Sequence, residues 1–276
     1  MIRLFFFLLF LTIFPLQAFA EAKESAYERV MRTGTLRCGF IPWPPGFEID
    51  PNTREVKGPS KELFENIIKL TGWDVEFVEV SLTTDILDLN NGRIDAICAS
   101  GPWTITNVKF IDYTTPAVYS PIFVYVRADE TRFETYKDLN NENISFVGID
   151  GDISIDLAGY RFPNAIIRSL INLTDPAMLL MEVATGKADA VILDPVTAES
   201  YMKNNPEQIK EFPLKEPLAV YPVGLAVKWG EYELKQSLNR ATEMAINIGL
   251  ADDLIDLYDS SRRTIYSPAK TYQLPE

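Results

Sequence analysis

The chain has 276 residues, a formal net charge of −13, two cysteines and no histidine. The missing histidine excludes Ser-His-Asp and Cys-His catalysis, His-ligated zinc and a histidine pH switch, so chemistry must rest on carboxylates, Lys, Tyr, Ser/Thr or Cys. The acidic balance keeps a protein soluble and repels nucleic-acid phosphate and anionic lipid, so neither is an expected partner.

The N-terminus reads as a secretory signal: Arg3, an apolar run from Leu4 to Leu16, then Ala18-Phe19-Ala20. The run is too short for a spanning helix, which needs roughly 20 apolar residues. Cleavage before Glu21 leaves 256 residues with a charge of −14, because Arg3 is the one charged residue removed. That length suits two lobes, each with its own core. No Cys lies near the cut to carry a lipid, and no later segment is apolar enough to span, so a free protein in a Gram-negative periplasm is expected.

A short helix near Tyr27–Arg32 precedes a strand, Thr35–Phe40. Pro42, Pro44, Pro45 and Gly46 then force a loop that carries Trp43 and Phe47 and cannot pair into a sheet. Ser60 is placed to cap a helix whose Leu63, Phe64, Ile67 and Ile68 share one face. Strand Trp73–Val80, helix Thr84–Asn91 and buried strand Ile94–Ala99 complete a β-α-β-α-β order, which implies a parallel sheet. An extended segment, Ala117–Arg127, leads to strand Ile144–Ile149, a turn at Gly151 into a helix, strand Ala165–Leu170 and a helix over Thr174–Thr185. The last of these places Ala177, Leu180, Met181 and Ala184 on one face. Strand Ala190–Leu193 follows, the chain returns through Ala219–Lys228, and Leu234, Leu238, Ala241, Ala245 and Ile248 mark a long helix. The polar tail after Ile265 is expected to wrap the surface.

One phrase occurs twice, as Gly92-Arg93-Ile94-Asp95-Ala96-Ile97 and as Gly186-Lys187-Ala188-Asp189-Ala190-Val191. In each copy the Gly ends a helix in a left-handed conformation and a buried strand begins, which implies two similarly built lobes. A second lobe entered and left in mid-chain needs two connecting strands, expected near residues 120–126 and 216–224 as a hinge. The expected division is a signal peptide at 1–20, lobe 1 at 21–121 plus 221–276, and lobe 2 at 122–220. Polar and aromatic residues stand where the echo strands end, Ser100 and Trp103 after the first and Asp194 after the second, and ligands bind at such strand ends in α/β sheets.

Cys38 and Cys98 each fall near a strand end in the first lobe. An exported chain can oxidise such a pair, but neighbouring parallel strands seldom offer disulfide geometry, so two buried thiols are the favoured expectation.

From Thr33 to Pro116 the sequence resembles the amino-acid-type extracytoplasmic solute-binding proteins of ABC importers, family 3. The resemblance rests on Gly34–Gly39, Trp43-Pro-Pro-Gly-Phe47, Gly58, the Leu-Asn-Asn-Gly-Arg-Ile-Asp-Ala run around Asp95, and Phe110-Ile-Asp-Tyr-Thr-Thr-Pro116. It extends through Gly186–Asp194 to the final helices. It implies an α/β, two-lobed type II periplasmic-binding-protein fold, each lobe a mostly parallel sheet with flanking helices. By position, Trp43 would pack on the ligand, Thr104 would lie near its acidic end, and Asp194 would hold an α-amino group. The alternative role for Asp194 is to cap the helix starting at Pro195.

The sequence also departs from that family. Asn107 stands where amino-acid binders place an Arg that clamps the ligand carboxylate, and a neutral amide supplies neither its charge nor its bidentate geometry. Lys109 and Arg127 are the candidate replacements. The second-lobe turn reads Gly151-Asp152-Ile153-Ser154, and Asp152 either caps the helix or, facing the cleft with Asp194, favours a cationic or amine-bearing ligand. Trp103 is an added aromatic suited to stacking on ligand. The expected function is a periplasmic receptor for a small polar, amine-bearing or amino-acid-like solute, monomeric, with no cofactor, delivering to an ABC permease. The rivals are a cyclohexadienyl-dehydratase-like enzyme using Asp152, Asp194 or Glu48 as general acid, and a soluble ligand sensor.

Overall fold

The structure, a computed structural model, describes residues 24–100, 109–214, 216–259 and 262–269. The expected signal peptide lies outside these residues. Helix α1 (Ala26–Thr33) starts with a capping box between Ser25 and Glu28 and delivers the chain into β1 (Thr35–Phe40). After the hairpin β2 (Glu48–Ile49) and β3 (Val56–Lys57) come α2 (Pro59–Lys69), β4 (Asp74–Glu79), α3 (Asp85–Asn91) and β5 (Ala96–Ser100). Strands β6 (Ile111–Tyr113) and β7 (Val118–Arg127) lead to β8 (Ser145–Ile149), α4 (Ile153–Arg161), β9 (Ile166–Leu170), α5 (Ala177–Ala184), β10 (Ala190–Leu193), α6 (Pro195–Asn204) and β11 (Ile209–Glu211). The chain returns by β12 (Ala219–Lys228) and ends in α7 (Tyr232–Asn247) and α8 (Leu250–Tyr258).

The strands run in the order β4-β1-β5-β12-β7-β10-β8-β9. Each end of this order is a parallel trio with the strand met first in sequence at its centre: β1 between β4 and β5, β8 between β9 and β10. The antiparallel pair β7 and β12 joins the trios. The first half of β12 pairs with the first half of β7, after which β12 turns to β5 and β7 to β10. These are the two expected crossover strands. Leu36, Phe64, Ile67 and Leu238 centre the core of the first lobe, and Tyr125, Phe146, Leu180 and Val191 belong to the cores of the second.

The sequence echo proves to be a strand-start device. Gly92 (φ 77°) and Gly186 (φ 72°) are left-handed, where a Cβ would be penalised. The aspartates then pin the neighbouring central strand. Asp95 accepts Arg37 N at 2.8 Å and gives its own N–H to Arg37 O at 2.9 Å. Asp189 accepts Ser145 N at 2.9 Å and gives its N–H to Ser145 O at 2.9 Å. Each carboxylate is also held by arginine: Asp95, 1 % exposed, by Arg29 and Arg37, and Asp189 by Arg132.

Several local expectations change. Ser60 is not a cap: Pro59 begins α2, and the cap position falls on Gly58, which has no side chain to offer. The buried face of α5 is Leu179, Leu180 and Val183, while Met181 is 40 % exposed, because the helix starts three residues later than the pattern suggested and makes barely two turns. Ile248 follows the end of α7 and is exposed. The Trp43 loop does pair, with itself: Trp43 N donates to Phe47 O at 2.9 Å and Phe47 N to Trp43 O at 3.1 Å. Cys38 and Cys98 are not thiols but a disulfide, with Cα atoms 5.7 Å apart. Cys98 lies two positions beyond Ala96, the register partner of Cys38, so the bridge runs diagonally between β1 and β5 in the first core.

Candidate functional site

A cleft of about 290 Å³ lies between the lobes at the strand ends. The first lobe lines it with Trp43, Ser60, Leu82, Asp85, Cys98 and Tyr113, and the second with Gly151, Asp152, Ser154, Asp194 and Thr197. The crossover strands contribute Ser120, Ile122, Tyr221 and Val223. Polar bonds also cross between the lobes. Trp43 Nε1 donates to Asp194 Oδ2 at 2.9 Å, Thr197 Oγ1 donates to Pro44 O at 3.3 Å, and Asn172 Nδ2 donates to Thr83 Oγ1. Trp43 and Leu82 of the first lobe pack against a core cluster of the second. The lobes therefore meet in a closed arrangement around the cleft.

Asp152 sits at the start of α4 and at the cleft wall. Its Oδ1 accepts Ser154 N at 2.8 Å, which caps α4, and the residue lines the cleft. Burial pushes its carboxyl above the usual range, and the negative charge of Asp194 pushes the same way. Asp194 caps α6 through Oδ1, which accepts Thr197 N at 2.8 Å, and spends Oδ2 on the Trp43 indole. Asp-Pro at a helix start produces this geometry because Pro195 lacks the N–H that the first turn would leave unpaired. Ser154 is 7 % exposed, and its hydroxyl lies beside the Asp152 carboxyl.

Sequence reasoning missed Asp85. It opens α3 in the first lobe, lines the cleft, and binds Ile86 N at 2.7 Å. Burial raises its pKa to about 6, with the nearby Asp88 charge adding to the shift. Tyr221 was missed as well; burial pushes its phenol up to about 12, and the Asp152 charge contributes. Trp103, Thr104 and Asn107 lie outside the described residues, as does the side chain of Ser100. Neither candidate replacement cation reaches the cleft. Lys109 is exposed over the Phe110 ring, 5.0 Å from its centroid, and Arg127 pairs with Asp129. Glu48 is exposed on β2 and does not line the cleft. Among the described residues no group of three or more His, Cys, Asp or Glu is placed to hold a metal ion, and no helix is long and apolar enough to cross a membrane.

The model of the bacterial extracellular solute-binding proteins, family 3, matches residues 36–258. The chain belongs to that family. It is a non-enzymatic receptor class, and membership accounts for the two lobes, the paired crossover strands and the cleft between them. A probable histidine-binding protein of Campylobacter jejuni is 22 % identical over 239 residues, covering 87 % of this chain and 90 % of its own. The ancestral amino acid-binding protein AncCDT-1, a precursor of cyclohexadienyl dehydratase, superposes with a TM-score of 0.73 at 25 % identity, over 85 % of this chain and 99 % of its own. A histidine kinase sensor domain with similarity to periplasmic binding proteins superposes with a TM-score of 0.70 at 22 % identity, over 85 % and 98 % of the two chains. The structural likenesses give this family-3 protein the periplasmic-binding-protein fold.

Proposed function

We propose that this protein is a periplasmic receptor that captures a small amine-bearing or amino-acid-like solute between its lobes and delivers it to an ABC permease. The observation that carries this reading is the charge of the cleft: Asp85, Asp152 and Asp194 line it, and no Lys or Arg does among the described residues. A cationic group on the solute offsets carboxylates that are otherwise costly to keep in a closed, partly desolvated site. Contacts available only when the lobes meet shift the open–closed balance, so ligand capture and closure are one event. The names of the histidine-binding relative and of the amino acid-binding ancestor support a nitrogenous solute. The lobes proposed to close are 21–121 plus 221–276 and 122–220, acting as a monomer after removal of the first 20 residues.

The test is a thermal-shift screen of the mature protein against amino acids, polyamines, other amines, organic acids and prephenate-like diacids, with mass spectrometry of each positive well. Ligand at a thousandfold over Kd adds about 4 kcal/mol of stability, several degrees in Tm. An amine recovered unchanged supports the receptor. A diacid recovered minus water would replace the receptor reading with a dehydratase.

A further inference from the structure

The construction of the cleft narrows the solute further; this step rests on the receptor reading above. The strongest holds on a carboxylate are a guanidinium or ammonium group and open N–H groups at a helix N-terminus. Four helices start at this cleft: α2 through Pro59 and Ser60, α3 through Asp85 and Ile86, α4 through Ile153 and Ser154, and α6 through Val196 and Thr197. At each start a first-turn N–H is already taken, in α3 by the Asp85 carboxylate, which accepts Ile86 N at 2.7 Å. In α2, Pro59 has no N–H and Ser60 N donates to Gly46 O at 3.1 Å. In α4 the Asp152 carboxylate takes Ser154 N, and in α6 the Asp194 carboxylate takes Thr197 N, each at 2.8 Å. A third carboxylate, Asp85, faces them from the first lobe.

Among the described residues the cleft offers no cationic route either. No Lys or Arg lines the cleft among the described residues, and the segment 101–108, Gly-Pro-Trp-Thr-Ile-Thr-Asn-Val, contains neither. A ligand carboxylate would thus meet three carboxylates and, among the described residues, no counter-charge. A ligand ammonium or guanidinium meets three acceptors, with Trp43, Tyr113 and Tyr221 available for its methylene stem or for cation–π contact. Ser154 adds a buried hydroxyl to the lining.

We propose that the cleft selects an organic amine that carries no carboxylate, the chemistry of a decarboxylated basic amino acid, and discriminates against the parent amino acid. The upward push on the Asp152 carboxyl by burial and by Asp194 fits this selection, since a bound cation relieves both effects.

The test is titration calorimetry of the mature protein with four matched pairs that differ by one carboxyl group: cadaverine and lysine, putrescine and ornithine, agmatine and arginine, histamine and histidine. In the pair that binds best we expect the amine to bind at least tenfold tighter. An Asp152→Ser variant keeps a capping side chain but removes the charge at α4, and should move that ratio toward the amino acid by about tenfold or more. An amino acid binding as tightly as its amine overturns this inference and leaves the receptor reading standing. If all four pairs are silent and the wider screen yields a carboxylate-bearing ligand, the inference again fails alone. If the pairs are silent and the screen yields a carboxylate-free amine, the inference holds. If no compound binds, both readings fall.

Discussion

The indole of Trp43 in the first lobe donates to the carboxylate of Asp194 in the second across 2.9 Å, so the aromatic and the acid expected to hold the ligand also hold each other. A hydrogen bond to a charged group contributes about 1.5–3 kcal/mol. This one exists only when the lobes meet, and it supports closure rather than the fold of either lobe. Trp43→Phe keeps a ring and removes the donor. We expect at least a tenfold loss in affinity for whichever amine the screen identifies, with Tm of the ligand-free protein nearly unchanged. Calorimetry and thermal melting together check it; unchanged affinity would make the bond incidental to closure.

Asp194 has two separable duties, and asparagine separates them. Asn caps a helix about as well as Asp, whereas Ala costs about 1 kcal/mol at such a position. Asp194→Asn should therefore melt close to the parent while losing more than tenfold in affinity, about 1.4 kcal/mol or more. Asp194→Ala should lose both affinity and some stability. If Asp194→Asn binds as well as the parent, its charge plays no part in holding the solute.

The architecture was legible where the signal is local. The Gly92 and Gly186 echoes, the Asp-Pro start at Asp194 and the apolar runs at Ala190–Leu193 and Ala219–Lys228 each depend on backbone sterics or burial within a few residues, and the structure follows them. Asp85 was not legible, because an acid in the first turn of a helix is ordinary. Only the meeting of two lobes far apart in sequence turns it toward a cleft. The disulfide was hidden for a similar reason: it depends on strand order and register, which bring Cys38 and Cys98 together across 60 residues. The buried face of α5 escaped because two turns hold too few residues for a periodicity to choose between faces.

Closing a loop of 60 residues, the Cys38–Cys98 disulfide restrains the unfolded chain by about 4 kcal/mol in the chain-entropy description. It also ties β1 to β5 immediately before both strands run out to the cleft. The oxidised protein should have an intact mass lower by two hydrogens, and a Cys38→Ser/Cys98→Ser double variant should melt many degrees lower. A free-thiol count of two in the purified protein would contradict the pairing.

The two echo aspartates should differ in how much they hold. Asp95 is buried and binds two guanidinium groups, whereas Asp189 is partly exposed and binds one arginine along with Ser145. Removing one side of a buried ion pair costs about 3–5 kcal/mol, because it leaves the partner charge uncompensated. Asp95→Ala should thus fall in that range by urea denaturation, and Asp189→Ala well below it. Equal effects would mean that pinning the neighbouring strand, which both residues share, outweighs the charges.

Asp85 gives the protein an unusual dependence on pH. Its folded-state pKa is raised from 3.8 to about 6, so between those values the folded form binds a proton that the unfolded form has lost. Stability from this group is therefore greatest at the acidic end of that window and declines as pH rises through about 6. The shift is worth on the order of 3 kcal/mol at neutral pH. Asp189 and Glu130 behave oppositely: their folded pKa values are lowered, so their contribution is present above the unfolded value and is lost as pH falls below it. The ligand-free protein should accordingly gain stability from pH 7 down to about 5 and lose it below about 4. Asp85→Asn should be more stable than the parent at pH 7, and the difference should shrink to nearly nothing at pH 4, where the parent carboxyl is protonated in the fold. The same variant should bind an amine at least several-fold more weakly at pH 7, because the charge that costs stability is the one the cation requires. Melting curves of both proteins at four pH values decide it: a parent and variant that differ equally at every pH would mean that Asp85 does not titrate in this window.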